Sequence, residues 1–304
     1  MIALSTSWLP ENGWSVERAL DALEPFGVRA VEFNYRLHPL NVTAARQELA
    51  RRGLTVISLH NVCASNGVLL TDDDHYGDSI ASLDETLREV GTTRLRQTAE
   101  VARRLGAQAV VVHGGRVAVS RESLIYKAAY KQARHENNPD IIREQLPELL
   151  AERSTTAPQH VSQLIRSLKE VCPSYPDVKF GLETRYDFHG LPDFDEMAQV
   201  LNEVGCDNVG YWHDCGHGQF RETLGLSRHE DWLKRYQELL IGVHLHGMRN
   251  RILDHAGPTP DNMDFAMIRR YTRPDTILVM ELNSATPAEA VRLGKEYLET
   301  VFEN

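Results

Sequence analysis

Short apolar runs alternate along this chain with longer stretches in which apolar residues recur every three or four positions. The short runs occupy 2–5, 30–33, 55–59, 109–112, 179–182, 209–212, 241–245 and 276–280. Between them lie VERALDALEPFG, VTAARQELARRG, TRLRQTAEVARRLG and PAEAVRLGKEYLETVF, most ending in or near a glycine, as helices do. Such alternation predicts a parallel sheet assembled from successive β-α units. Eight units in 304 residues fit an α/β chain closed into a (β/α)8 barrel, one domain spanning 1–304 with insertions at its rim. An open doubly wound sheet more often has fewer strands and a Gly-rich phosphate loop, and no G-x-G-x-x-G follows the first run.

Three stretches break the pattern: 60–79, 114–158 and 247–263. Each follows an apolar run, so each belongs at the C-terminal rim, where barrels keep their chemistry. Within the second, 126–152 reads as helical and suits a lid or a subunit contact.

Acids and histidines fall at the ends of the runs rather than through the helices. The third run ends in SLHN (His60) and the fourth in VVHGG (His113). The fifth closes with GLETR (Glu183), and the sixth leads into YWHDCGH, with His213, Asp214 and His217. The seventh is VHLHG (His244, His246) and the eighth ends in VMELN (Glu281). Strand ends of a barrel converge, so these residues meet at one mouth. A single histidine there is more often structural, and Asp214 three residues before His217 could simply cap a helix. Glu183 and Glu281 are different: a carboxylate closing an apolar strand costs several kcal/mol if buried alone. With Asp214 and one histidine they point to a divalent Mn, Co, Mg, Zn or Fe. Alternation puts His244 and His246 on one face, so periodicity leaves the choice between them open. Arg249, Arg251, Asp254 and His255 follow, and two guanidiniums beside a metal suit an anionic or polyhydroxylated substrate. Trp8, Tyr186, Phe188 and Trp212 are candidates for the pocket wall.

Composition narrows the partners. A formal charge of −10, without a Lys/Arg-rich run, gives no attraction to nucleic acid, and a small molecule is the expected partner. No run approaches the roughly 18 apolar residues of a membrane span, and the start lacks a basic region before a greasy one, so a cytoplasmic protein is expected. The four cysteines show no C-x-x-C spacing and are expected to be reduced.

GLETR, HDCGH, VHLHGMRNRILDH and VMELN give the chain a resemblance to the xylose-isomerase-like barrel superfamily, along nearly its whole length. That superfamily includes sugar isomerases and epimerases and the endonuclease IV type nucleases. The resemblance implies one divalent metal held by Glu183, Asp214, His246 or His244, and Glu281. It also implies Glu183 and Glu281 as an acid/base pair, and substrate contact at His217. H-x-H epimerases use the second histidine, whereas I-H-L-K-D versions use the first. His60, His113, His217 and Asp254–His255 lie close to the extra ligands of three-metal phosphodiesterases, although the nuclease pattern separates its last Asp and His by one residue. Barrels of this kind often pair through rim loops, which makes a homo-oligomer compatible with the resemblance. The expected activity is isomerisation or epimerisation of a small sugar. The rivals are a phosphodiesterase with two or three metals, acting on a small nucleotide- or cofactor-like ester, and a sugar-binding protein without catalysis.

Overall fold

The computed structural model describes residues 1–64, 77–120 and 125–303. Eight parallel strands close into a barrel: β1 (Ala3–Ser5), β2 (Ala30–Phe33), β3 (Thr55–His60), β4 (Ala109–Val112), β5 (Lys179–Glu183), β6 (Val209–Asp214), β7 (Leu240–Leu245) and β10 (Ile277–Met280). Neighbours run β1-β10-β7-β6-β5-β4-β3-β2 and back to β1. The apolar runs predicted these strands to within two residues at each end. The ladder continues through the polar residues His60, Glu183 and Asp214, because a backbone hydrogen bond is indifferent to the side chain it carries.

Two apolar layers result. Outside the barrel, the buried faces of helices such as α1 (Val16–Leu23), α2 (Val42–Arg52), α3 (Glu85–Leu105), α7 (Phe194–Val204) and the C-terminal helix Ala288–Phe302 pack on the strands. Inside, Ala3, Ala30, Ala109, Val111, Ile277 and Val279 surround Trp212. A Cβ on Gly242 would lie 2.4 Å from the Trp212 ring and one on Gly181 2.8 Å from it, so two glycines open the space that the indole fills. The His244 ring stands 5.1 Å from that indole, which forms the floor beneath the site.

Two expectations change. The stretch 247–263 contains an antiparallel hairpin, β8 (Gly247–Arg249) and β9 (Leu253–Ala256), with Asn250 and Arg251 left-handed at its tip. Strands this short give no readable alternation. The rim insertion also does not end at Pro158. After α4 (Lys127–Glu136) and α5 (Asp140–Arg143), α6 (Leu146–Val171) runs straight through that proline, held by a buried stripe that includes Leu149, Ala157, Val161, Leu164 and Leu168. Tertiary burial outweighs the local penalty of proline. Most of the loop 60–79 falls outside the described residues. No helix among the described residues is long and apolar enough to cross a membrane.

Candidate active site

Four parallel strands that neighbour one another deliver the central group. Glu183 ends β5, Asp214 ends β6, His244 is the penultimate residue of β7, and Glu281 follows β10. All four are buried. His244 Nδ1 lies 2.8 Å from Glu183 Oε1, 3.0 Å from Glu281 Oε2 and 3.7 Å from Asp214 Oδ2. One donor atom from each residue falls within 4.8 Å of every other. A single N–H cannot satisfy three carboxylate oxygens, and three buried carboxylates this close repel one another. This donor set fits a divalent cation.

Electrostatics says the same. Burial opposes ionisation of Glu183 and Glu281, yet the facing histidines hold both carboxyls below the ordinary range, Glu183 through His113 and His244, Glu281 through His244 and His255. Burial pushes His244 down, but Glu281 and Glu32 outweigh it and raise His244 well above the ordinary imidazole value. The charge that keeps a proton on that ring is charge that would hold a cation.

Hydrogen bonds separate the two histidines of β7's end. His244 Nε2 faces Glu32 at 3.2 and 3.3 Å, and Glu32 Oε2 accepts from Ser58 Oγ at 2.7 Å. A carboxylate only accepts, so Glu32 holds a proton on Nε2, and a cation among Glu183, Asp214 and Glu281 would take the Nδ1 that faces their oxygens. His246 is wired the other way. Its Nδ1 accepts the backbone N–H of His255 at 2.8 Å, which leaves Nε2 to donate to Asp214 at 3.0 and 3.1 Å. His255 adopts a left-handed φ of 55° to make that contact. Gly216 makes room for the ring, since a Cβ there would lie 2.1 Å from His246 Cε1.

Two further groups flank the centre. His60, His113 and Glu183 form one, and Asp214, His217 and His255 the other. Glu183 divides its oxygens: Oε1 faces His244, while Oε2 lies 2.7 Å from His113 Nε2 and 4.0 Å from His60 Nε2. On the other flank, His217 directs Nδ1 to the Thr184 carbonyl at 2.7 Å, and its Nε2 is 3.7 Å from Asp254. Asp214 also caps the helix it precedes, α8 (Cys215–Thr223), accepting from His217 N–H at 2.8 Å. Capping and site membership coexist in one carboxylate.

A pocket of about 320 Å³ opens above this floor, lined among others by His60, His113, Glu183, His217, Asp254, His255 and Glu281. Of the residues expected at the pocket, Arg249 and Arg251 sit on the hairpin and do not line it, and Trp8 is turned aside, donating to the Thr286 carbonyl at 2.9 Å. The guanidiniums that do line it are Arg36 and Arg185, the latter donating to Glu183 Oε2 at 3.0 Å. Neither was foreseen, and neither was Glu32. Glu32 was legible, because it interrupts the apolar run AVEF, just as Glu183 closes the run FGL with an acid.

The family of xylose isomerase-like TIM barrels matches residues 20–300. The chain belongs to that family. An uncharacterized protein of Methanocaldococcus jannaschii is 23% identical over 232 residues, 73% of this chain and 67% of that one. Among solved structures, a D-psicose 3-epimerase shares the fold with a TM-score of 0.68 at 11% identity over 99% of both chains. A D-tagatose 3-epimerase-like protein gives 0.65 at 18%, over 99% of this chain and 97% of that one. A 3-keto-D-glucoside 4-epimerase from E. coli gives 0.64 at 15%, over 98% of both.

Proposed function

We propose that this chain is a divalent-metal-dependent isomerase or epimerase acting on a small sugar or sugar derivative. The observation that carries the reading is the placement of two buried glutamates in one group with β6 and β7 between their strands. Glu183 and Glu281 thereby approach the same space from two sides, the arrangement that proton removal from one face of a carbon and return to the other requires. Glu183, Asp214, His244 and Glu281 would hold the cation, which when bound supplies Lewis-acid polarisation of a carbonyl beside that carbon. One glutamate takes the proton. The other delivers it, while His217, its ring fixed by the Thr184 carbonyl, offers Nε2 to a substrate hydroxyl. The fold shared with sugar epimerases supports the substrate class.

The test is conversion of a ketose panel in D2O by the metal-loaded protein. Deuterium should enter the product carbon, and Glu183→Gln and Glu281→Gln should each abolish turnover. A true substrate converted with no deuterium incorporated contradicts the mechanism.

One observation favours a second reading. Glu183 turns one oxygen to each of two donor groups, as a carboxylate bridging two cations does, and Asp214 belongs to a third group. Two or three cations per chain would suit hydrolysis of a phosphodiester in a small nucleotide- or cofactor-like molecule. Cation stoichiometry separates the two readings.

A further inference from the structure

The pocket is chemically lopsided. Its acids, Glu183, Asp254 and Glu281, share their walls with histidines. Beyond Glu281, the segments after β1, β2 and β10 line the pocket with Ser7, Asn34, Tyr35, Arg36, Asn283 and Ser284, none of them an acid. Two of these residues are oriented as donors by their own turns. Asn34 Oδ1 accepts from Thr6 Oγ1 at 2.9 Å and from Arg36 N–H at 3.0 Å. Asn283 Oδ1 accepts from Ala285 N–H at 2.8 Å. With both carboxamide oxygens engaged, both NH2 groups remain as donors, and neither meets an acceptor among the described residues.

Arg36 supplies the charge. Its Nη1 donates to Asn12 at 3.0 Å, while its Nε is buried with no hydrogen-bond partner among the described residues. No carboxylate pairs with Arg36 among the described residues, so its charge is available to an anion that enters the pocket it lines. Arg185, the other guanidinium of the pocket, already faces Glu183.

We propose that this side of the pocket binds the phosphate or carboxylate of an anionic sugar derivative, with Arg36 as its charged contact and Asn34 and Asn283 as neutral donors. The inference rests on reading the pocket as the substrate site. An anionic tail held by Arg36 leaves the polyol end of the same molecule to reach Glu183 and Glu281. Guanidinium and amide N–H groups match the oxygens of either anion.

The probes are glycerol 3-phosphate, glycerate and glycerol, which differ in the anionic group, titrated calorimetrically into the metal-loaded protein. At least one anionic probe should bind tenfold or more tightly than glycerol, and whichever anion binds more tightly identifies the group. Arg36→Gln, verified as folded by circular dichroism, should erase that advantage. Arg251→Gln, on the hairpin outside the pocket, should keep it. Equal binding of all three probes, or a preference that survives Arg36→Gln, overturns the subsite. A ketose panel then separates the two levels of the account. Turnover of neutral sugars with no gain from an anionic group overturns the subsite and leaves the isomerase. An Arg36-dependent anion preference in a protein that turns over no sugar supports the subsite and removes the isomerase.

Discussion

Two buried histidine clusters stand side by side at the ends of β6 and β7, one neutral and one charged. In one, His213 Nδ1 meets the Tyr211 hydroxyl at 2.6 Å and its Nε2 meets His229 Nε2 at 2.9 Å; the carboxylate of Glu222 meets only the backbone N–H of His229, at 2.6 Å. Burial, helped by the proximity of the two rings, pushes His213 well down; burial likewise takes His229 to about 4. In the other, His244 is as deeply buried, yet Glu281 and Glu32 outweigh the same desolvation. Burial sets the cost of charge in both places, and the facing carboxylates decide its sign. The cluster without acids is neutral architecture. The cluster with acids is a place for a cation. Residues 213 and 214, adjacent on one strand, serve the two clusters because successive side chains alternate between faces.

The comparison breaks most visibly at its acids. Glu183→Gln and Glu281→Gln should each lower turnover by about a thousandfold or more if, as proposed, each group both shuttles protons and holds the cation. Steady-state assays beside elemental analysis check this, and variants with near-normal rates would remove both roles. Glu32→Gln should weaken cation affinity by about 10–100-fold while Glu183, Asp214 and Glu281 remain, because the carboxylate that fixes the ring of His244 is gone. Chelator competition reads the effect.

The neutral cluster predicts an acid limb in stability. Between the ordinary value of 6.5 and about 4, an unfolded His229 binds a proton that the folded one refuses, so stability is present above 6.5 and falls with pH through that window. The loss from His229 is on the order of 3 kcal/mol, shared in practice with His213. Urea midpoints at pH 7.5, 6 and 5 measure it, and His229→Gln should flatten the slope; a slope unchanged by that substitution assigns the acid limb elsewhere. The smallest effect belongs to Gly218, where a Cβ would lie 2.6 Å from the His229 ring. Gly218→Ala should cost about 1–3 kcal/mol of stability by overpacking and leave the cation content untouched.

Where the chain was legible, the reason was burial. Apolar runs marked the barrel strands because both faces of a parallel barrel are covered, and an acid at such a strand's end, as at Glu183 and Glu281, stood out against them. The same rule applied to Glu32 would have found it. The choice between His244 and His246 was not legible in one strand, since two residues apart means one face. It turns on protons placed by Glu32, 212 positions away from His244, and by the backbone of His255, nine positions from His246 in a left-handed conformation. The guanidiniums of the pocket were hidden for a related reason. Arg36 and Arg185 follow β2 and β5, and only closure of the barrel brings them to the mouth that Arg249 and Arg251 occupy in sequence.

The central claim is that a divalent cation sits among Glu183, Asp214, His244 and Glu281, with His244 rather than His246 supplying the imidazole. Elemental mass spectrometry of the protein purified without chelator, compared with His244→Gln and His246→Gln, tests it most directly. At least one divalent cation per chain in the unsubstituted protein, kept largely by His246→Gln and lost by His244→Gln, is the predicted result. Full cation content in His244→Gln, or its loss in His246→Gln alone, contradicts the account.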